Sequence, residues 1–247
     1  PTRIDYEAST LTFYPPGWRY AGAARPVPLT FKGTKPQIDA EVDGVAGRFT
    51  IDTGSAGSLT LYPAFAEQHG LAARYGARTR IMSGVGIGGP VFSLLARANL
   101  LELAGSRIER PVTYLSQARA GAATDKTTAG SLGHGVLRRF NLVFDYPHDV
   151  AYFEPNNALG DPDLADRSGL RLEGAAEGFR IVYVAEGSPA AVAGLRADEI
   201  ITEVDGVAAS RIAMKDLRAR LKGSIGSGVT LEIVGRPTPV VIVLKEL

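Results

Sequence analysis

Two alternating apolar runs meet at Asp43-Gly44, and the second of them runs straight into Asp52-Thr53-Gly54-Ser55. Ile38, Ala40 and Val42 alternate with other residues before the turn, and Phe49 and Ile51 alternate beyond it. Period-two alternation gives a strand one inward face, and Asp-Gly between two such runs predicts a tight β-hairpin. The second strand therefore delivers Asp52 into a turn, with glycine next to it for close backbone approach. A strand built this way constrains the chain to a β-rich fold that can hold a carboxylate at the floor of a cleft.

Strand patterning continues through 25–156. Val27, Leu29 and Phe31 alternate, and further strands are expected over 79–82, 91–103 and 112–115. A helix is expected over 63–69, closed by Gly70. The stretch 157–167 carries turn formers and no alternation, and reads as a linker. Beyond it Ile181, Tyr183 and Ala185 alternate, Ile200-Ile201 leads to an Asp205-Gly206 turn, and Met214, Leu217 and Leu221 recur at helical spacing. Val229, Leu231 and Ile233, with 240–244, make a last strand pair. The expected fold class is mainly β, with a small β-sandwich-like domain carrying one or two helices over 168–247.

Bulk properties exclude several functions. The 247 residues suffice for one large or two modest cores. With 27 basic against 26 acidic residues there is no basic footprint for nucleic acid. No cysteine is present, so disulfides, thiol nucleophiles and cysteine metal sites are out. No apolar run is long enough for a transmembrane helix. The chain begins Pro1-Thr2 without a signal peptide, which suggests a trimmed piece and leaves the compartment unknown.

One segment recurs. Ile4-Asp5-Tyr6 leading to Leu11-Thr12-Phe13-Tyr14-Pro15 is echoed by Phe144-Asp145-Tyr146 leading to Ala151-Tyr152-Phe153-Glu154-Pro155. The expectation is that 1–24 is the tail of a preceding unit whose body lies outside this chain.

Asp-Thr-Gly is a common turn by itself, but here it has company. A glycine-dense hairpin, Ser83-Gly84-Val85-Gly86-Ile87-Gly88-Gly89, follows, and then Gly130-Ser131-Leu132-Gly133-His134-Gly135-Val136-Leu137. With these three motifs in order, 25–156 resembles the retropepsin-like aspartic proteases. The resemblance implies an acid-protease barrel whose catalytic turn is Asp52, Thr53, Gly54 and Ser55. It implies a substrate-covering flap of Gly84, Val85, Gly86, Ile87, Gly88 and Gly89, and cleft support from Leu132, Gly133 and His134. Two departures stand out: Ala56-Gly57-Ser58 follows where retroviral members carry acidic residues, and His134 stands where they carry arginine.

That chemistry needs two carboxylates sharing one proton, one activating water and the other polarising the scissile carbonyl. This chain offers one. The partner lobe would come from an upstream repeat or from a homodimer, and the substrate would be a peptide or protein. The competing expectation is a catalytically inactive peptide-binding module on the same folds.

Gly84-x-Gly86-x-x-Gly89 formally matches a dinucleotide fingerprint, but Pro90-Val91-Phe92 follows where a helix should open, so no cofactor is expected. His69, His134 and His148 are scattered, and no metal site is expected.

Gly187-Ser188-Pro189-Ala190-Ala191-Val192-Ala193-Gly194-Leu195, then Asp198-Glu199-Ile200-Ile201 and Val204-Asp205-Gly206, resembles bacterial PDZ domains over 168–247. Ala197 departs from the glycine usual before that aspartate. The resemblance implies a carboxylate loop at Gly169, Leu170, Arg171 and Leu172, and a groove helix over 213–221 that together take a peptide C-terminus. The pairing with a protease domain favours a periplasmic or cell-envelope location.

Overall fold

The computed structural model describes residues 1–86 and 89–247; Ile87 and Gly88 of the expected flap lie outside the described residues. In chain order the first elements are strands β1 (Thr2–Asp5), β2 (Thr10–Phe13), β3 (Pro26–Pro28), β4 (Thr30–Lys32), β5 (Lys35–Val42), β6 (Val45–Ile51) and β7 (Leu59–Leu61). Two short helices, α1 (Pro63–Gln68) and α2 (Leu71–Arg74), precede β8 (Arg80–Gly86), β9 (Gly89–Arg97), β10 (Leu100–Leu103), β11 (Ser106–Glu109) and β12 (Val112–Ser116). After them come β13 (Gly130–Leu132), α3 (His134–Leu137), β14 (Phe140–Asp145) and β15 (Val150–Pro155). The C-terminal part adds β16 (Leu170–Ala175), β17 (Gly178–Val184), α4 (Pro189–Val192), β18 (Ile200–Val204), β19 (Val207–Ala208), α5 (Met214–Leu221), β20 (Gly228–Ile233) and β21 (Val240–Val243).

The fold is mainly β, as expected. Two compact units share the chain: Pro1–Ala77 with Ala96–Asp163, and Arg78–Leu95 with Leu164–Leu247. The β8–β9 hairpin thus packs with the C-terminal unit.

In the first unit, Asp43 and Gly44 both take positive φ (51° and 82°), the geometry a two-residue hairpin turn demands. The β5–β6 ladder runs from Gln37 opposite Thr50 to Val42 opposite Val45. The run expected as one strand over 91–103 is two, β9 and β10. The Asp43 carboxylate accepts from the N–H groups of Asn99 (3.0 Å) and Leu100 (2.7 Å), which takes the chain out of the ladder there. Strand β13 inserts between β6 and β7, parallel to the first and antiparallel to the second. The insertion is tight: a Cβ on Gly130 would stand 1.9 Å from the Thr60 carbonyl oxygen. Phe49, Leu59, Leu61, Leu132, Val136 and Leu137 bury the inward faces of these elements completely.

A second sheet orders its strands β2-β1-β14-β15-β3. Its two hairpins are copies in register. Thr2 pairs with Phe13 and Asp5 with Thr10; adding 140 to each number gives the observed pairs of Leu142 with Phe153 and Asp145 with Val150. Between the copies, Thr2 faces Phe144, Arg3 faces Val143 and Ile4 faces Leu142, a pairing centred on a local two-fold axis. The outer copy differs in one respect. Strand β15 is covered by β3, whereas every residue of β2 is exposed, with Phe13 at 74 %.

The stretch 157–167 holds no strand or helix, yet it is anchored. The buried Arg139 donates from Nη1 to the carbonyls of Ala158, Leu159 and Asp161 (3.0, 2.8 and 2.7 Å). Burial lowers the pKa of that guanidinium. At the other end Arg167 donates to the Lys222 and Gly223 carbonyls (3.1 and 2.6 Å).

The second unit centres on a sheet ordered β16-β17-β18-β20-β21. Its core is Phe179, Ile181, Ile201, Val204 and Leu231, sealed by Leu217 and Leu221 of α5. In the turn before β18 the positive φ falls on Asp198 (69°), not on Ala197, so alanine there is unstrained. Among the described residues no helix is long and apolar enough to cross a membrane.

Candidate active site

Strand β6 ends at Ile51, and Asp52 follows on the edge of the inserted strand, its N–H donating to the Leu132 carbonyl at 2.9 Å. The turn closes on itself: Gly54 N donates to Asp52 Oδ1 (3.1 Å) and Ser55 N to the Asp52 carbonyl (3.2 Å). Ser55 Oγ accepts from Gly57 N at 3.3 Å, so the serine braces the turn instead of the carboxylate. Asp52, Thr53 and Gly54 are exposed and Ser55 is half-buried.

The segment expected to support the cleft is bound directly to this turn. Three successive N–H groups, of Gly133, His134 and Gly135, donate to the carbonyls of Ser58, Ser55 and Gly57 at 2.7, 2.8 and 2.9 Å. Gly133 is required: a Cβ would lie 2.5 Å from the Gly57 oxygen and 2.9 Å from Ser55 Oγ. Leu132 is fully buried beneath. The His134 and Tyr6 rings meet edge to face with centroids 5.6 Å apart, so the first repeat touches the segment that clasps the turn. Burial pushes the Tyr6 phenol pKa up.

Sequence reading missed a cavity of about 300 Å³ in the same unit, walled by Gln37, Thr50 and Tyr62 with Lys32, Lys35 and Asp125 around it. Burial pushes the Tyr62 pKa up, with the Asp52 and Asp125 charges adding to it. No local pattern announces this cavity, because its residues come from four separated segments.

Gly84, Val85 and Gly86 lie on β8 and Gly89 opens β9, with Val85 largely exposed. The hairpin base is held by Tyr183 of β17, whose hydroxyl donates to the Arg80 carbonyl (3.2 Å) and whose ring meets Phe92 edge-on at 5.4 Å. The Arg80 guanidinium sits 3.6 Å over the Phe92 ring.

In the second unit, Gly169 takes φ 80° and has no room for a side chain, since a Cβ would lie 2.2 Å from Ser188 Cβ. Asp166 Oδ1 accepts from Ser168 N, Ser168 Oγ and Gly169 N (2.9, 2.8 and 2.7 Å). Burial raises its pKa against these bonds. Leu170 N donates to Ser168 Oγ at 3.1 Å. Two N–H groups of the expected carboxylate loop are therefore engaged by the side chains of Asp166 and Ser168 just before it. Leu170, Arg171 and Leu172 run along β16, the sheet's edge strand, where an added strand can pair. Among the described residues no group of three or more His, Asp or Glu is placed to hold a metal ion.

The C-terminal match is specific. Residues 180–235 match the PDZ domain family model. This part of the chain has the fold of modules that bind extended peptides. Among solved structures, the chain is similar to a retropepsin-like aspartic protease from Rickettsia conorii. That likeness has 16% identity, covers 55% of this chain and 97% of that one, and has a TM-score of 0.38. An HtrA-type protease, AlgW with a decapeptide, is similar at 10% identity over 86% of this chain and 73% of that one, with a TM-score of 0.33. Among curated proteins nothing matches.

Proposed function

We propose that this chain carries one half of an aspartic endopeptidase active site, with Asp52 as one carboxylate of a water-activating pair. The observation that carries the reading is the exposed Asp52 turn clasped by the N–H groups of residues 133–135. The carboxylate accepts a bond from Gly54 within the turn, and the frame fixes it mainly through the backbone around it. Two carboxylates about 3 Å apart share one proton. The ionised one takes a proton from water as the oxygen attacks the amide carbon, and the protonated one donates to the carbonyl oxygen.

The second carboxylate comes, on this reading, from a lobe preceding Pro1. The pseudo-two-fold pairing of β1 with β14 supports this, because the β1–β2 hairpin repeats the β14–β15 hairpin in register, as the tail of a preceding copy of the same unit would. Exposed β2 would then be covered by that lobe, as β15 is covered by β3. Gly84 to Gly89 serve as flap, and the PDZ domain takes a peptide segment along β16.

The test is cleavage of a peptide library by the full-length protein and its Asp52→Asn variant, with and without pepstatin. Pepstatin-sensitive cleavage that falls by about a thousandfold or more in the variant is expected. Equal activity in the two removes Asp52 from the mechanism, and peptide binding without turnover identifies a binding module instead.

A further inference from the structure

The cavity of about 300 Å³ has a wall that an apolar specificity pocket would not have. Thr50 precedes Asp52 by two residues, and the Asp52 charge acts on Tyr62 in the cavity wall, which places the cavity beside the Asp52 turn. Gln37 lies directly opposite Thr50 on β5 and is 5 % exposed. Its Nε2 donates to Thr50 Oγ1 (3.2 Å) and to Thr128 Oγ1 (2.9 Å), tying both hydroxyls into the wall. Burying an amide is costly unless it is bonded, and here it is bonded so as to keep the wall polar. Tyr62 adds a phenol hydroxyl to the wall, hydrogen-bonded with the Ser131 and Thr50 side chains.

The mouth is charged, and its charges do not cancel. Asp125 is fully engaged: Lys32 and Thr128 Oγ1 bind its Oδ2, while Thr127 N and Oγ1 donate to its Oδ1 at 3.0 and 2.9 Å. Lys35 lines the same cavity, is exposed, and has no ion pair among the described residues. One positive charge is left for whatever enters. The volume is at the small end of ligand sites and suits one side chain, not a whole cofactor.

We propose that this cavity is a substrate subsite beside Asp52 and that it selects glutamate, with Lys35 meeting the carboxylate charge and the polar Gln37–Thr50–Tyr62 wall bordering the carboxylate end of the side chain. The inference rests on the endopeptidase reading, which supplies the peptide. It adds the side-chain class that the peptide must carry near the scissile bond.

The test uses the full-length protein and peptide sets that differ only by Glu, Gln, Leu or Lys at one position within four of the cut. Cleavage is read with the unaltered protein and binding with Asp52→Asn. Glu is expected to exceed Leu by about tenfold or more in both readouts. Lys35→Ala should bring Glu down to the level of Gln, and Gln37→Leu with Thr50→Val should favour Leu. Equal or better handling of Leu, a Glu preference that survives Lys35→Ala, or no binding of any peptide overturns the proposal. Asp52-dependent cleavage without Glu preference sinks the subsite alone. Glu-selective binding without cleavage sinks the endopeptidase alone.

Discussion

Replacing Gly133 by alanine would put a methyl group 2.5 Å from the Gly57 carbonyl oxygen, with backbone on the far side that cannot rotate away. Overpacking of this kind costs about 1–3 kcal/mol, and thermal unfolding of Gly133→Ala should show that loss. Peptide cleavage should fall further than stability does, because the displaced loop carries Asp52. Asp125 offers a pH-dependent check. The Lys32 ammonium, then the Thr128 hydroxyl, hold its carboxyl well below the usual carboxylate range. A depressed folded pKa stabilises above the unfolded value, near 3.8, and that contribution fades as pH falls from there toward the folded value. The drop in Tm between about pH 6 and about pH 3 should therefore be smaller in Asp125→Asn than in the unaltered protein. Asp52 and Gly133 could be read from sequence because each stands in a local motif with its own backbone requirement. Gln37, Thr50 and Thr128 could not, since they meet only after β5, β6 and the loop before β13 come together.

The β8–β9 hairpin shows what is and is not legible for an element. Its glycines and its alternation announce a hairpin, but its packing partner is an aromatic residue nearly a hundred positions later in the chain. Tyr183 stands opposite Arg171 in the β16–β17 ladder, next to the strand edge where a peptide would add. Tyr183→Ala removes both the bond to the Arg80 carbonyl and the Phe92 contact. Amide hydrogen exchange over Arg80–Gly86 and Gly89–Arg97 should speed up by about tenfold in that variant, with the core strands β18 and β20 unchanged. Unchanged exchange in the hairpin would show that other contacts hold it. Helix α5 was readable from Leu217 and Leu221 at helical spacing, because one apolar stripe suffices to bury it.

At the scale of the molecule, the repeated Asp-Tyr-to-Pro segment became a pair of hairpins with identical register around a local two-fold axis. A sequence match of a dozen residues carried that much because register follows from the spacing between the turn and the closing proline. It did not carry the exposure of Leu11 and Phe13 on the outer copy, which only the sheet order reveals. The proposed lobe, covering β2 and bringing a second aspartate to Asp52, would account for both features. Titrating the full-length protein with a statine peptide, whose hydroxyl mimics the tetrahedral intermediate, counts completed sites directly. One inhibitor bound per chain, lost in Asp52→Asn, is the predicted result; binding that is absent, or equal in both proteins, would contradict a site built on Asp52.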